Sequence, residues 1–410
     1  MSNPRTISSI QILRGVAALF IVAGHGQGMA RELAVLTGQT FSTWAPLPWG
    51  VGVDLFFVIS GFIIHYSSAK YEDEVHPRRA FFAHRIARLV PLYWAATALL
   101  IALMATKKLL GFAQEEAFPT LNAVVSSLLF LPLNGNGASG LAFPVYNLGW
   151  TLNYEMYFYA LFALCLTSSQ LSSAARVMAC LCVSLFLGLF LKIDVLPLSF
   201  WCQPIVLEFA CGILVGVALR QGVSLPSTAR IALMVFGAIL IIWLPFGEPA
   251  AIDHTYLNGW NRFFTLGIPA ALVVAGAALG PDIKKTKWLT IPLKVGDASY
   301  SLYLMHPFVV FAISMAYRRV GIFQASPLPF LVVSLILVAS IVAIFSYRLF
   351  ERPSARVISQ WLMPNPAIRQ TQLEERVIRE VALSKEGGPD DERCGPHAKF
   401  AETEAHHRGI

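Results

Sequence analysis

Charge is what this sequence has least of. Asp, Glu, Lys and Arg make up 13% of its 410 residues, against roughly 25% in soluble proteins. A soluble fold of this length could not hide the remaining apolar surface in one core. Cysteine is sparse too. Cys165, Cys180, Cys182, Cys202, Cys211 and Cys394 show no Cys-x-x-Cys pair and no metal-ligand spacing, which argues against a disulfide framework and against a bound metal. They read as small buried apolar groups. No fixed-period repeat is visible. What is abundant is hydrocarbon: 56% of residues are hydrophobic and 12% aromatic, and the mean hydropathy is +0.61. The chain reads as an all-α polytopic membrane protein. The formal charge of +7 is not a nucleic-acid signature, because the basic residues sit between apolar runs and in the C-terminal tail, where they fix topology.

Ten apolar runs near spanning length fall at about 11–30, 50–68, 89–106, 148–167, 174–192, 199–219, 231–246, 262–280, 298–316 and 328–350, with a shorter one at 121–133. Basic clusters follow residue 68 (Lys70, Arg78, Arg79, Arg85, Arg88), flank the loop at Arg220 and Arg230, mark Lys284, Lys285 and Lys287, and open the tail at Arg352 and Arg356. If all are cytoplasmic, the chain crosses an even number of times between Arg88 and Arg220. The short run 121–133 is then the one that does not span, and becomes a re-entrant or interfacial helix. About ten spans remain, with both termini cytoplasmic and Arg318 and Arg319 left outside. Residues 1–353 are expected to form the membrane domain. Residues 354–410 are expected to form a charged cytoplasmic tail, partly disordered, with a short amphipathic piece around 373–383. The first run is read as a span and not as a cleaved leader, since Arg14 and His25 fit a leader poorly.

Ionisable groups inside spans are costly, and are functional candidates by default. Arg14 and His25 share one face of the first span, about 16 Å apart along the axis at the helical rise of about 1.5 Å per residue. Asp54, in Gly52-Val53-Asp54-Leu55-Phe56-Phe57-Val58-Ile59-Ser60-Gly61-Phe62, is expected at the depth of His25, where a carboxylate orients an imidazole and raises its basicity. An N-terminal helix cap explains the same residue equally simply. His65 lies on that face near the cytoplasm and reads as structural. Arg85 and Arg88 project from one side of a helix start and could clamp a phosphate, or could only set topology. Trp150, Tyr154 and Tyr159 could be an aromatic belt, but Glu155 lies about two turns inside its helix and fits no belt. His306, after Ser299-Tyr300-Ser301-Leu302-Tyr303-Leu304-Met305, is expected near mid-membrane. Glu351 closes the last span and reads as a neutralising partner for Arg85 or Arg88. Sorted by depth, Arg14, Arg85, Arg88 and Glu351 form an inner layer suited to an anion, and His25, Asp54 and Glu155 an outer layer suited to proton transfer. A permease or flippase for a polar or lipid-linked envelope precursor would place its polar site at the midplane. A non-catalytic subunit of an envelope-polysaccharide assembly would tolerate loss of His25. Two layers on one helix face suggest instead a donor held inside and an acceptor met outside.

The motifs in this order resemble the membrane acyltransferase 3 family, over roughly Ile10 to Pro353. They are Arg14-x10-His25, the Asp54 run, Arg85-x-x-Arg88-x-x-Pro91, Trp150-Thr-Leu-x-x-Glu155, Ser299-Tyr-Ser-Leu-Tyr-Leu-x-His306 and Glu351-Arg352-Pro353. The start, Ser-Ile-Gln-Ile-Leu-Arg-Gly-Val-Ala-Ala, resembles the branch that decorates bacterial exopolysaccharide. Met156 stands where the family often has a second acid, and no fused periplasmic domain is expected after Pro353. The resemblance implies a multi-pass enzyme of the bacterial inner membrane that O-acylates sugars of a polysaccharide or lipid-linked oligosaccharide. It implies acyl-CoA, with acetyl as the default group and succinyl as an alternative, acting as co-substrate and not as a resident cofactor. Arg14, Arg85 and Arg88 would hold the donor, and His25 would act as general base with Asp54 or Glu155 holding its imidazole. Trp150, Tyr154 or Ser60 would supply an oxyanion donor, and Ser60 or Cys165 could carry an acyl-enzyme. The only surroundings required are membrane lipid; no nucleic acid partner is implied and the oligomeric state is open.

Overall fold

The computed structural model describes residues 7–44, 48–71, 74–110, 117–133, 142–190, 195–244, 259–320 and 326–363. The expected amphipathic piece at 373–383 and the rest of the tail lie outside them. Among the described residues the structure is helical and contains no strand. The helices are α1 (Ser8–Thr37), α2 (Val51–Ser68), α3 (Pro77–Leu109), α4 (Leu121–Leu128), α5 (Gly149–Cys165), α6 (Gln170–Phe190), α7 (Leu198–Trp201), α8 (Leu207–Arg220), α9 (Ser227–Trp243) and α10 (Trp260–Arg262). They continue with α11 (Ile268–Ala278), α12 (Thr290–Asp297), α13 (Ser299–Arg319), α14 (Leu328–Ser346) and α15 (Arg352–Leu362).

Seven of the helical segments are long and apolar enough to cross a membrane, and α9 is apolar but shorter. The chain is therefore a multi-pass membrane protein. Exposed apolar side chains agree: Phe330, Leu337, Ile341 and Phe345 of α14 face outward, while Leu331, Leu335, Ala339 and Ala343 of the same helix are buried. Local chemistry sets the element ends. Pro77 starts α3 where its missing N–H costs nothing, Thr120 caps α4 by accepting from the Ala123 N–H, and Gly38 ends α1 at φ +68°. Helix α4, with 8 residues, spans only about 12 Å and is too short to cross a hydrocarbon core of about 30 Å.

The run at 199–219 is not the single spanning helix expected from its hydropathy. Pro204 forces Gln203 into an extended conformation, with ψ 153°, so α7 ends at Trp201 and α8 begins only at Leu207. Helix α8 packs on α2 through glycine contacts. A Cβ on Gly61 would fall on the Phe209 carbonyl, and one on Gly212 on the Val58 carbonyl. Such close backbone approach is the small-residue packing of membrane helices. Two π-helical turns, Phe263–Gly267 and Tyr347–Glu351, adjoin Arg262 and contain Glu351; widened turns of this kind often re-aim side chains at functional positions.

Candidate active site

Helices α1, α2, α3, α5 and α13 enclose a chamber of about 80 Å³ lined by Arg14, Ser60, Arg85, Arg88, Glu155, Tyr159, Tyr300 and Tyr303 among apolar side chains. A wider cavity of about 700 Å³ adjoins it, lined by Gln11, Arg14, Tyr66, His84, Arg88, Asp297, Glu351, Arg352 and Arg356. Arg14, Ile63 and Arg88 line both spaces. Arg14 and Arg88 of the expected inner layer therefore sit where the wider vestibule meets the smaller chamber, and Arg85 lines the chamber alone.

Each arginine is held differently. Arg14 Nη1 donates to Gln11 Oε1 at 3.2 Å, and Gln11 in turn donates to Asp297 Oδ1 at 2.7 Å. Arg85 Nη2 donates to Ser67 Oγ at 3.0 Å, and its guanidinium lies 5.3 Å from the Phe81 ring centroid and 5.7 Å from that of Tyr159. Its buried Nε has no partner among the described residues. For Arg88 no hydrogen bond or ion pair is found among the described residues, which leaves its fork of donors open to the cavities. Glu155 accepts from Ser60 Oγ at 3.1 Å and from the Tyr159 hydroxyl. Glu351 Oε2 accepts from Ser301 Oγ at 2.6 Å. It lines the vestibule beside Arg14 and Arg88 and interacts electrostatically with both, without a salt bridge to Arg85 or Arg88 among the described residues.

His25 lies farther along α1. Its Nδ1 is 2.8 Å from His306 Nε2, and the two rings lie edge to edge, with centroids 4.9 Å apart and planes within 21° of each other. His306 is fully buried, whereas His25 is exposed. Tyr303 bridges the two regions. It lines the chamber, its ring centroid is 6.3 Å from that of His306, and its hydroxyl meets Thr151 Oγ1 at 2.8 Å.

The outer layer expected from sequence is redistributed. Asp54 does not meet His25. It is gripped by Arg262, whose Nε donates to Oδ1 at 2.8 Å and Nη2 to Oδ2 at 2.7 Å; the side chains are 0% and 3% exposed. Glu155 belongs to the arginine chamber and not to the histidine level. The partner of His25 is His306. Of the three oxyanion donors considered, only Ser60 lines the chamber. The Tyr154 hydroxyl is engaged by the Phe200 carbonyl at 2.6 Å, and Trp150 packs edge-on against Tyr154 at 6.2 Å. Cys165 lines neither cavity, and its sulfur lies 3.8 Å from that of Cys180.

A family model described as an acyltransferase domain, acyltransferase 3, matches residues 7–347. The chain belongs to this family. The acyltransferase is 31% identical over 337 residues to the exopolysaccharide production protein ExoZ of Rhizobium meliloti, covering 80% of this chain and 95% of that one. It is 34% identical over 180 residues to protein 2 in the picA locus of Rhizobium radiobacter, covering 40% of this chain and 83% of that one. A 26% identity over 388 residues relates it to the O-acetyltransferase OatA of Staphylococcus aureus, covering 86% of this chain and 58% of OatA. No solved structure matches it significantly.

Sequence reading missed two charged residues of the acyltransferase. Arg262 opens the 262–280 run at what the ten-span topology makes an outer end. A lone arginine there breaks the positive-inside pattern, and that was the available signal. Glu208 lies inside the 199–219 run and is fully buried, where it interacts with both Asp54 and Arg262. An acid inside an apolar run should itself have been singled out.

Proposed function

We propose that this acyltransferase moves an acyl group, by default acetyl, from cytoplasmic acyl-CoA to a hydroxyl of an exported polysaccharide or its lipid-linked precursor, in a bacterial inner membrane. The observation that supports this best is the sequence of spaces. An arginine-lined vestibule of about 700 Å³ meets a smaller chamber at Arg14 and Arg88, and Tyr303 links that chamber to the His25–His306 pair. The vestibule is within the 300–1,000 Å³ typical of small-molecule sites. Its rim includes Arg352 and Arg356, basic residues of the kind that mark a cytoplasmic face. The phosphates of CoA would meet Arg88, Arg14 and Arg85, and its thin pantetheine arm would pass the chamber toward His25. The name of the exopolysaccharide-producing relative supports a polysaccharide acceptor.

In this reading the acceptor oxygen attacks the thioester carbonyl carbon while the His25 imidazole takes the hydroxyl proton. The C–S bond then breaks, and the imidazolium returns the proton to the departing sulfur, leaving an ester and free CoA. General-base action contributes about 10²–10⁴-fold. Glu155, bound to Ser60 and Tyr159, would shape the chamber and balance its arginines. The test is CoA binding to the purified protein in lipid nanodiscs. Arg88→Ala and Arg88→Lys should each weaken binding about tenfold or more, because ammonium cannot reproduce a planar fork of donors. Wild-type affinity in both variants would remove Arg88 from the donor site, and a wild-type protein that fails to bind CoA would remove the donor assignment.

A further inference from the structure

The histidine pair fixes which nitrogen of His25 can act as base. His306 Nδ1 lies 3.1 Å from the Leu302 carbonyl oxygen one turn earlier on α13. A carbonyl oxygen can only accept, so this nitrogen bears the hydrogen. In neutral His306 the lone pair is then on Nε2, and that atom faces His25 Nδ1 at 2.8 Å. His25 Nδ1 must therefore carry its hydrogen and donate. The second nitrogen of His25, Nε2, is left with the free lone pair, and no protein group among the described residues takes it up. The inverse assignment, with His306 Nε2 donating to His25 Nδ1, would set the His306 Nδ1 lone pair against the Leu302 oxygen at full burial of His306, where an unmade hydrogen bond is most costly.

We propose that His306 is the positioning residue of the site: through the Leu302 carbonyl it imposes the Nδ1–H tautomer on His25, so that Nε2 is the atom that accepts the acceptor-hydroxyl proton. The inference rests on the acyl-transfer reading only for what Nε2 does; the tautomer itself follows from the hydrogen bonds. His306 occupies the place a carboxylate often takes beside a catalytic imidazole, but it is neutral. It orients His25 without supplying a negative charge, and it accepts the stronger, charge-assisted bond once His25 is protonated. No net proton is lost or gained by His306 in this step.

The experiment is ¹⁵N NMR of histidine-labelled full-length protein in micelles, with His25→Ala identifying the His25 signals, alongside steady-state transfer kinetics. The wild type should show His25 with a protonated Nδ1 and an unprotonated Nε2. His306→Ala should scramble that tautomer and lower kcat by about 10- to 100-fold, less than the loss of the base itself, with KM for the acyl donor unchanged. His306→Gln, whose side-chain oxygen can still accept from Nδ1, should recover most of the rate and the wild-type tautomer. A wild-type His25 protonated on Nε2 overturns the proposal, as does a folded His306→Ala with wild-type kcat. If His306→Ala does not fold, the wild-type and Gln spectra decide. A correct tautomer in an enzyme whose transfer survives His25→Ala would leave the positioning role of His306 without a reaction, and would refute the base assignment instead.

Discussion

Replacing Arg262 separates a structural role for Asp54 from a chemical one. The Arg262–Asp54 pair is bidentate, with bonds of 2.8 and 2.7 Å, and both side chains are essentially inaccessible. Arg262→Met leaves Asp54 buried beside Glu208 and takes away the cation that acts on both carboxyl groups. Removing one partner of such a pair costs about 3–5 kcal/mol, a large share of the roughly 5–15 kcal/mol that holds a domain folded. Asp54→Asn keeps one acceptor for the guanidinium and should cost less, about 1–3 kcal/mol. The double variant Asp54→Leu/Arg262→Met removes both charges, and a well-packed apolar replacement of a buried pair is often neutral. It should recover at least about 2 kcal/mol relative to the sum of the single changes, within the coupling range of contacting residues. SDS-titrated unfolding of the purified protein measures these costs, and specific activity per folded molecule is measured in parallel. An Asp54→Asn protein with a wild-type unfolding curve and a hundredfold loss of transfer would refute the reasoning, and would return Asp54 to the reaction. So would a double variant no more stable than Arg262→Met.

Other expectations follow from equally local features. Gly212→Val places a Cβ on the Val58 carbonyl, so α2 and α8 must separate; overpacking of at least about 1–3 kcal/mol should appear as reduced membrane abundance and earlier unfolding. Tyr303→Phe keeps the ring beside His306 but loses the hydroxyl contacts to Thr151 and the Leu148 carbonyl; transfer should fall severalfold while CoA affinity stays at the wild-type level in the nanodisc assay. Asp282, in the loop after α11, is pushed up by partial burial, but the N–H groups of Ser8, Ser9 and Ile283 outweigh this and hold it below its usual 3.8. Its contribution to stability is thus present above that value and lost as pH falls through the lower folded-state value. Asp282→Asn should melt slightly earlier than wild type at pH 7, and the difference should vanish at strongly acid pH.

The class of the fold was legible because hydropathy alone places helices. Every apolar run of spanning length falls on helical structure, and the Arg14–His25 spacing needed only helical geometry to put both on one face. The breaks were less visible. Pro204 interrupts a run whose average hydropathy is little changed by it, and helix α15 continues nine residues past Pro353. Pairing between helices was the least legible. Depth arithmetic put Asp54, Glu155 and His25 at similar levels. Rotation about three separate axes decides which of them meet, and a single sequence does not encode that rotation directly. Asp54 thus turned toward Arg262, Glu155 toward the arginines, and His25 toward His306, which sequence depth had set near mid-membrane without a partner.

The O-acyl content of extracellular polysaccharide, read by proton NMR, decides whether this chemistry is the protein's function. Three strains are needed: a deletion, the deletion complemented with wild type, and the deletion complemented with His25→Ala at matched membrane abundance. The expected result is an ester signal that disappears on deletion, returns with wild type, and stays absent with His25→Ala while polymer yield is unchanged. Loss of the polymer itself on deletion, with His25→Ala restoring fully acylated product, would mean that transport or assembly is the function and that His25 is not the base.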